Sequence, residues 1–546
     1  MRSLLLGGLC FALAFGQESV IQTTTRLVQV SVVARSHDQS AAGLTVDDFK
    51  VFVDGHQQKI SFFSAVAASL HPTPTLPIAP HTYTNVMASK GQSMNGVTVV
   101  LLDLVNTKLR DRIYARQQLI KYLQSIPSTD RVAVYTFNGR LRVLHDYTAS
   151  MEQFQARLAE SKGQLVNVSK TEEGGAIEAS EEEAFSDLMG GGASNDAEQS
   201  FYLRNRVVGT LNVLKFIAAH LADVPGRKNL VWMSGGFPLN FGLETMSNFS
   251  EDFSNEMDAA VRALSDASVA VYPVDARGLT PPSGFDASQR TIPDPMAAAR
   301  SGTAQKRTPD QYMVDVHLGM EELAHRTGGH AFYNTNDLAK AIHEAVDDSA
   351  LTYTLGFYPS DEKHNREFHK LKVEVDKPHI NLTYRTGYLD LAEIPKDDKT
   401  RSIQVHDALW SPLDATQLQM SVRLSQALSS AAVLLGQAAP APSNALVVAV
   451  ALDSKGIQLE PKADRYSGRI DVLMVQFDKS GKPIDSPMET VQLNMLEPTY
   501  RKFLVEGLNV KETLTISPRA LTLRVVVRDY GSGMIGSVTV PLKDAA

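Results

Sequence analysis

The residues best placed to do chemistry are oxygen-bearing side chains that stand where apolar runs end. Asp103 closes the run in VTVVLLDLVNT (97–107), with Asn106 and Thr107 just behind it. Ser234 follows KNLVWM (228–233), and Asp275 follows VAVYPV (269–274). Continuous β-branched and leucine-rich runs suit strands buried on both faces. Ligands of open α/β sheets bind outside the carboxyl ends of such strands. Asp103, Asn106, Thr107, Ser234 and Asp275 therefore predict a polar binding edge with two carboxylates on it. Ser234, Asp275 and His330 also follow one another as nucleophile, acid and base. The flank Trp-Met-Ser-Gly-Gly lacks the first glycine of a nucleophile elbow. His330 precedes the run 331–333, which predicts the opposite edge of the sheet. No catalytic residue and no enzyme activity are expected. A glycine-rich phosphate cradle is missing after the first strand. The lone histidines His145 and His220 are expected at the surface or on a helix face.

Strands alternating with helices must position that edge. Residues 111–126 carry a helical stripe, with Asp111 as the expected cap and Pro127 as the stop. Residues 131–137 form the next strand, and Asn138-Gly139 turns it into an antiparallel edge strand at 141–144. Helices are expected at 151–159, 201–221, 254–267, 311–327 and 337–347, with a further strand at 331–333. This alternation predicts a doubly wound, mostly parallel α/β sheet. Ahead of it, residues 26–34 and 50–53 alternate like half-buried strands, and Asp54-Gly55 turns the chain into a return strand at 59–63. Beyond 400 the sequence is mainly strands and turns, as in a β-sandwich.

Composition bounds the rest. A chain of 546 residues predicts about three or four domains. Hydrophobic residues at 43% and charged residues at 21% fit a globular protein, and the net charge of −8 without a Lys/Arg block argues against nucleic acid. Residues 1–16 read as a signal peptide: Arg2, an apolar core, and Ala14-Phe15-Gly16. No other stretch approaches the ~20 apolar residues of a membrane span. An exported protein, periplasmic or secreted, is expected. The single cysteine, Cys10, lies within the signal, so no disulfide or thiolate site is expected afterwards. The expected division is a small N-terminal β domain at 17–65, a Pro-rich linker at 66–95, an α/β domain at 96–350 with a mobile acidic insertion at 161–199, a β extension at 351–392, and a C-terminal β-sandwich-like domain at 400–546.

With these segments in place the chain resembles the von Willebrand factor A-type (VWA) domain, in a VWA-related branch of secreted bacterial proteins. The resemblance is carried by VTVVLLDLVNT, DRVAVYTF, GRKNLVWMSGG and SVAVYPVDARG. LTVDDFKVFVDGHQQKISFF before them, and YTLGFYP, HKLKVEV and YRTGY after them, extend it over roughly residues 26–390. It implies a Rossmann-like sheet of order 3-2-1-4-5-6 and a role in protein binding or adhesion. It also implies a metal-ion-dependent adhesion site of the form Asp-x-Ser-x-Ser, a separate Thr, and an Asp-Gly after the fourth strand. Mg²⁺ there takes six oxygens, some from a partner. Here Asp103 matches the first Asp and Thr107 replaces the last Ser, whereas Val105 brings no oxygen. Gly235 stands where the second Asp belongs, and Thr210, in a predicted helix, is the candidate for the separate Thr.

The site therefore reads as degenerate, with Asp103 and Thr107 as its remaining metal ligands and Arg277 as a salt-bridge partner for Asp275. The expected function is an exported adhesion-type binding protein for a protein or surface ligand. No cofactor is expected. The alternatives are a weakly held Mg²⁺ in a rearranged adhesion site, a structural part of an envelope assembly, and, furthest from the residues, a serine hydrolase.

Overall fold

A computed structural model describes residues 27–36, 39–67, 79–86, 96–127, 131–160, 196–236, 253–279, 309–348, 351–359, 368–389, 397–426, 444–485 and 488–542. The signal peptide with Cys10, most of the 66–95 linker and residues 161–195 of the acidic insertion lie outside the described residues.

The chain opens with β1 (Val28–Ser36), β2 (Gln39–Ser40), β3 (Phe49–Val53), β4 (His56–Gln58) and β5 (Ile60–Ala67), then β6 (Thr82–Thr84). The central part runs β7 (Thr98–Asp103), α1 (Leu109–Ser125), β8 (Val132–Phe137), β9 (Leu141–His145), α2 (Met151–Glu160) and α3 (Asp196–His220). It continues with β10 (Lys228–Ser234), α4 (Ser254–Asp266), β11 (Val269–Asp275), α5 (Pro309–Thr327) and α6 (Leu338–Asp347). A tail follows with β12 (Leu351–Phe357), β13 (Phe368–Val375), β14 (Asn381–Thr383) and β15 (Gly387–Leu389). The last third holds α7 (Asp398–Trp410), β16 (Met420–Gln426), β17 (Ala445–Leu452), β18 (Glu460–Lys462), β19 (Arg465–Phe477), β20 (Pro483–Asp485) and β21 (Met488–Leu496). It ends with α8 (Glu497–Glu506), β22 (Leu508–Thr515), β23 (Thr522–Asp529) and β24 (Ile535–Pro541).

The sheet that carries the candidate site has the order β11-β10-β7-β8-β9. Its inner strands have apolar centres, and β7, β10 and β11 are buried at every position, polar ends included. Successive side chains of a strand face opposite ways. Val99 and Leu101 accordingly pack with Leu211, Leu214 and Ile217 of α3 and Leu264 of α4. Val100 and Leu102 pack with Leu119 and Leu123 of α1, Phe154 of α2 and Ile342 of α6. Asn138-Gly139 does turn β8 into an antiparallel β9 at the sheet's edge.

As a class for this chain, the doubly wound, mostly parallel α/β sheet is overturned. Among the described strands, parallel pairing is confined to β11–β10, β10–β7 and β7–β8. All other pairings between described strands are antiparallel and spread over several small sheets. No sixth strand forms: residues 331–333 add only the parallel bridge Val274↔Phe332. The reason is connectivity. Parallel neighbours need a long crossover, which the helices of the central part supply; elsewhere strands pair antiparallel, some through hairpins such as β3–β4 and β23–β24, others with strands remote in sequence such as β1–β12 and β3–β13.

The expected N-terminal strands pair with the tail. β1 lies between β12 and β14, and β3 pairs with β13. Asp54 and Gly55 both have positive φ (49° and 85°), as a two-residue hairpin turn requires. The return strand of that hairpin is β4 rather than residues 59–63; β5 pairs with β12 instead. In the last third, β22-β17-β16-β6 forms one antiparallel sheet. Val422, Val448 and Val450 from it share a core with Val472, Val525 and Val538 of the second sheet. No helix among the described residues is long and apolar enough to cross a membrane.

Candidate functional site

Asp103 ends β7 fully buried, and its carboxylate is enclosed by donors. Oδ1 accepts from the Asn106 backbone N–H at 3.0 Å. Oδ2 accepts from Asn106 Nδ2 at 2.7 Å, Trp232 Nε1 at 3.1 Å and Ser234 Oγ at 3.2 Å. Burial pushes this carboxyl above the ordinary carboxylate range, against the hydrogen bonds from Asn106, Trp232 and Ser234. Thr107 Oγ1 donates to the Asp103 carbonyl at 2.5 Å and accepts from the Gly235 N–H at 2.8 Å, tying the first loop to the end of β10.

Behind this loop, Asn106 Nδ2 donates also to Thr210 Oγ1 at 2.8 Å, and Arg206 Nη2 donates to Asn106 Oδ1 at 2.9 Å. Thr210 lies in α3, as its sequence setting predicted, and from there its hydroxyl meets the loop. Val105 packs against the core beside α3. At Gly235 a Cβ would stand 3.0 Å from both the Asn106 carbonyl oxygen and the Thr107 Cα. The position that the resemblance assigns to a second aspartate is thus crowded by backbone.

Asp275 is 1% exposed and held differently. Arg277 donates to it from Nε and Nη2, each at 2.8 Å, and from its backbone N–H at 3.0 Å. His317 Nε2 lies 3.0 Å from Oδ2. Burial raises this carboxyl, but the His317 and Arg277 hydrogen bonds and the guanidinium charge outweigh it and leave the group below its ordinary range. The His317 ring stacks on Tyr333 with centroids 4.3 Å apart, and Tyr333 donates to Glu321.

The five predicted residues therefore fall into two groups. Asp103, Asn106, Thr107 and Ser234 make one network, whereas Asp275 closes another with Arg277 and His317. Ser234, Asp275 and His330 are not assembled as a triad. The Ser234 hydroxyl donates to Asp103, the imidazole on Asp275 belongs to His317, and His330 is exposed with its ring edge-on to Phe332. The helix cap also differs from expectation. α1 begins at Leu109 with Lys108 at the cap position, and Asp111 sits in the first turn. Neither lone histidine is at the surface. His145 is 3% exposed, stacked on Phe154, and burial lowers it to about 4. His220 is 5% exposed, between Asp146 Oδ2 and the Asp414 carbonyl.

Sequence reasoning missed Trp232, Arg206, Arg112 and His317. Trp232 was legible in principle, because two residues before Ser234 on a strand is the same face. Arg206 lies four residues before Thr210, one helical turn away. Nothing local marks Arg112 or His317.

No family model matches the chain, and no curated protein matches it. Among solved structures, it is similar to an aerotolerance-related membrane protein from Bacteroides fragilis NCTC 9343 with multiple mutations to serines. That pair is 16% identical, covers 46% of this chain and 99% of the other, and has a TM-score of 0.24. It is also similar to the pilus adhesin SpaC from Lactobacillus rhamnosus GG. There the identity is 10%, the coverage 80% of this chain and 54% of the other, and the TM-score 0.25. Superpositions this loose carry no assignment, so the reading of the site rests on its own geometry.

Proposed function

We propose that the protein is an exported binding protein of the VWA-related kind, and that the carboxyl edge of its central sheet contacts a protein or surface ligand without a divalent cation and without catalysis. The contact surface comprises the loops that Asp103, Asn106, Thr107, Ser234 and Asp275 hold in place. The observation that carries this reading is the enclosure of Asp103. Mg²⁺ needs several oxygens in an open octahedral set, but Oδ2 already accepts three hydrogen bonds and Thr107 Oγ1 is committed on both sides. The resemblance puts a second carboxylate at Gly235, where a Cβ would press at 3.0 Å on the Asn106 carbonyl oxygen and the Thr107 Cα, so a side chain there would have to push that loop aside. This donor set does not fit Mg²⁺. It fits a rigid loop whose outer surface does the binding.

Titration calorimetry of Mg²⁺ and Mn²⁺ into the wild type and Asp103→Ala tests the cation clause. No binding is expected in either; sub-millimolar binding lost on substitution would overturn it. The surface clause is tested by partner capture with the full chain. Leu279 is 62% exposed just beyond the Asp275 loop, and Leu279→Arg is expected to weaken capture. A partner retained equally by that variant argues for a different face. Labelling of Ser234 by a fluorophosphonate would sink the non-catalytic clause.

A further inference from the structure

We infer that Arg112 is a preformed anion receptor on this same edge, and that the partner it fits is an acidic peptide segment with apolar neighbours. The inference rests on the binding role proposed above and names its ligand. Leu109, Arg112 and Ile113 stand at i, i+3 and i+4 in the first turns of α1, so they lie along one flank of the helix. Arg112 is only 8% exposed although charged. Its Nε donates to the Thr107 carbonyl at 2.7 Å, which fixes the guanidinium against the Asp103 loop. Neither terminal nitrogen has a hydrogen-bond or carboxylate partner among the described residues.

A largely buried cation without a counter-charge is costly. Pinned through Nε, it presents its two terminal nitrogens as a planar fork that matches a carboxylate. Asp103 does not supply that carboxylate, since its own oxygens are committed to Asn106, Trp232 and Ser234. A small anion such as phosphate would also satisfy the fork. The flanking residues favour a peptide: Leu109 is 44% exposed and Ile113 55% exposed. These two offer apolar surface to the neighbours of an Asp or Glu side chain, which a free anion would leave in water.

Fluorescence anisotropy on the full chain in EDTA, with fluorescein-labelled Leu-Glu-Leu-Glu-Leu as probe, tests this. Binding is expected, and Arg112→Gln should weaken it roughly ten- to a hundredfold, the loss typical of a charge-assisted pair. Arg112→Lys should recover only part of that, because the point charge lacks the fork. Ile113→Ser, at an exposed position that leaves folding intact, should weaken binding by a smaller factor. Equal binding of Leu-Gln-Leu-Gln-Leu, or full affinity in Arg112→Gln, would overturn the inference. Displacement of the probe by inorganic phosphate more readily than by acetate would overturn the peptide assignment. If Leu279→Arg abolishes partner capture while Arg112→Gln does not, the binding edge stands and this ligand falls.

Discussion

Asp103 and Asp275 end two strands of one sheet, both essentially buried, yet the molecule holds them in opposite ways. Around Asp103 the partners are neutral: an amide, an indole, a hydroxyl and a backbone N–H. Around Asp275 they are a two-pronged guanidinium and an imidazole. The carboxyl with neutral donors is raised and the one with a cation is lowered. Burial raises both, more so at Asp103; at Asp275 the His317 hydrogen bond, then the Arg277 hydrogen bonds and charge, outweigh it. Neutral donors spread the load over three side chains, Asn106 in the loop and Trp232 and Ser234 on β10. Around Asp275, His317 makes one of the four contacts, and the other three come from one residue two positions away, Arg277.

The largest effect should come from removing that one residue. Arg277→Ala leaves Asp275 facing only His317, and a loss of about 3 kcal/mol is expected, the low end for breaking a buried pair because His317 remains. Urea unfolding measures it; a loss below that of any single donor variant at Asp103 would erase the contrast. Trp232→Phe should cost about 1–3 kcal/mol by the same measurement, since one donor of several is withdrawn from a buried carboxylate.

The pH dependence sharpens the contrast by sign. Asp103 is raised above its ordinary 3.8, so its contribution to stability is full at low pH and lost as pH rises through the folded value. Asp275 is lowered, so its contribution is present above 3.8 and lost as pH falls through the folded value. Asp103→Asn should therefore flatten the stability curve above 3.8 and Asp275→Asn below it; matching slopes in both variants would contradict the two environments. The smallest effect belongs to His330→Ala. Its side chain is exposed and off both networks, so stability should stay within about 0.5 kcal/mol and partner capture should be unchanged.

How much of this was legible varies by residue. The runs that became β7, β8, β10 and β11 declared themselves because strands buried on both faces need unbroken apolar sequence. Asp54-Gly55 was equally plain, since few other pairs accept positive φ at both positions, and Gly139 marked the β8–β9 turn by its own positive φ. The mostly parallel α/β class, with β domains on either side, gave the parallel sheet too much weight: antiparallel pairing dominates the described strands. Pairings such as β5 with β12 and β6 with β16 join residues far apart in sequence, and alternation alone does not name a partner. His220 does lie on a helix, as expected, but its burial was not legible, because the carboxylate and carbonyl it meets come from Asp146 and Asp414, on separate segments.

The sequence by itself determined which residues are apolar, where strands stop, and that Asp103, Ser234 and Asp275 arrive together at one sheet edge. These follow from local rules, namely side-chain periodicity and turn chemistry. Arg277 was also legible as the partner of Asp275, two residues on, but only the tertiary structure decided what else each carboxylate meets there. The donors on Asp103 come from the loop after β7 and from β10, and the backbone that crowds Gly235 belongs to residues 106 and 107. Hydrogen bonding and steric exclusion act within a few ångströms, and it is the packing of remote segments, set by the core as a whole, that brings such groups within reach.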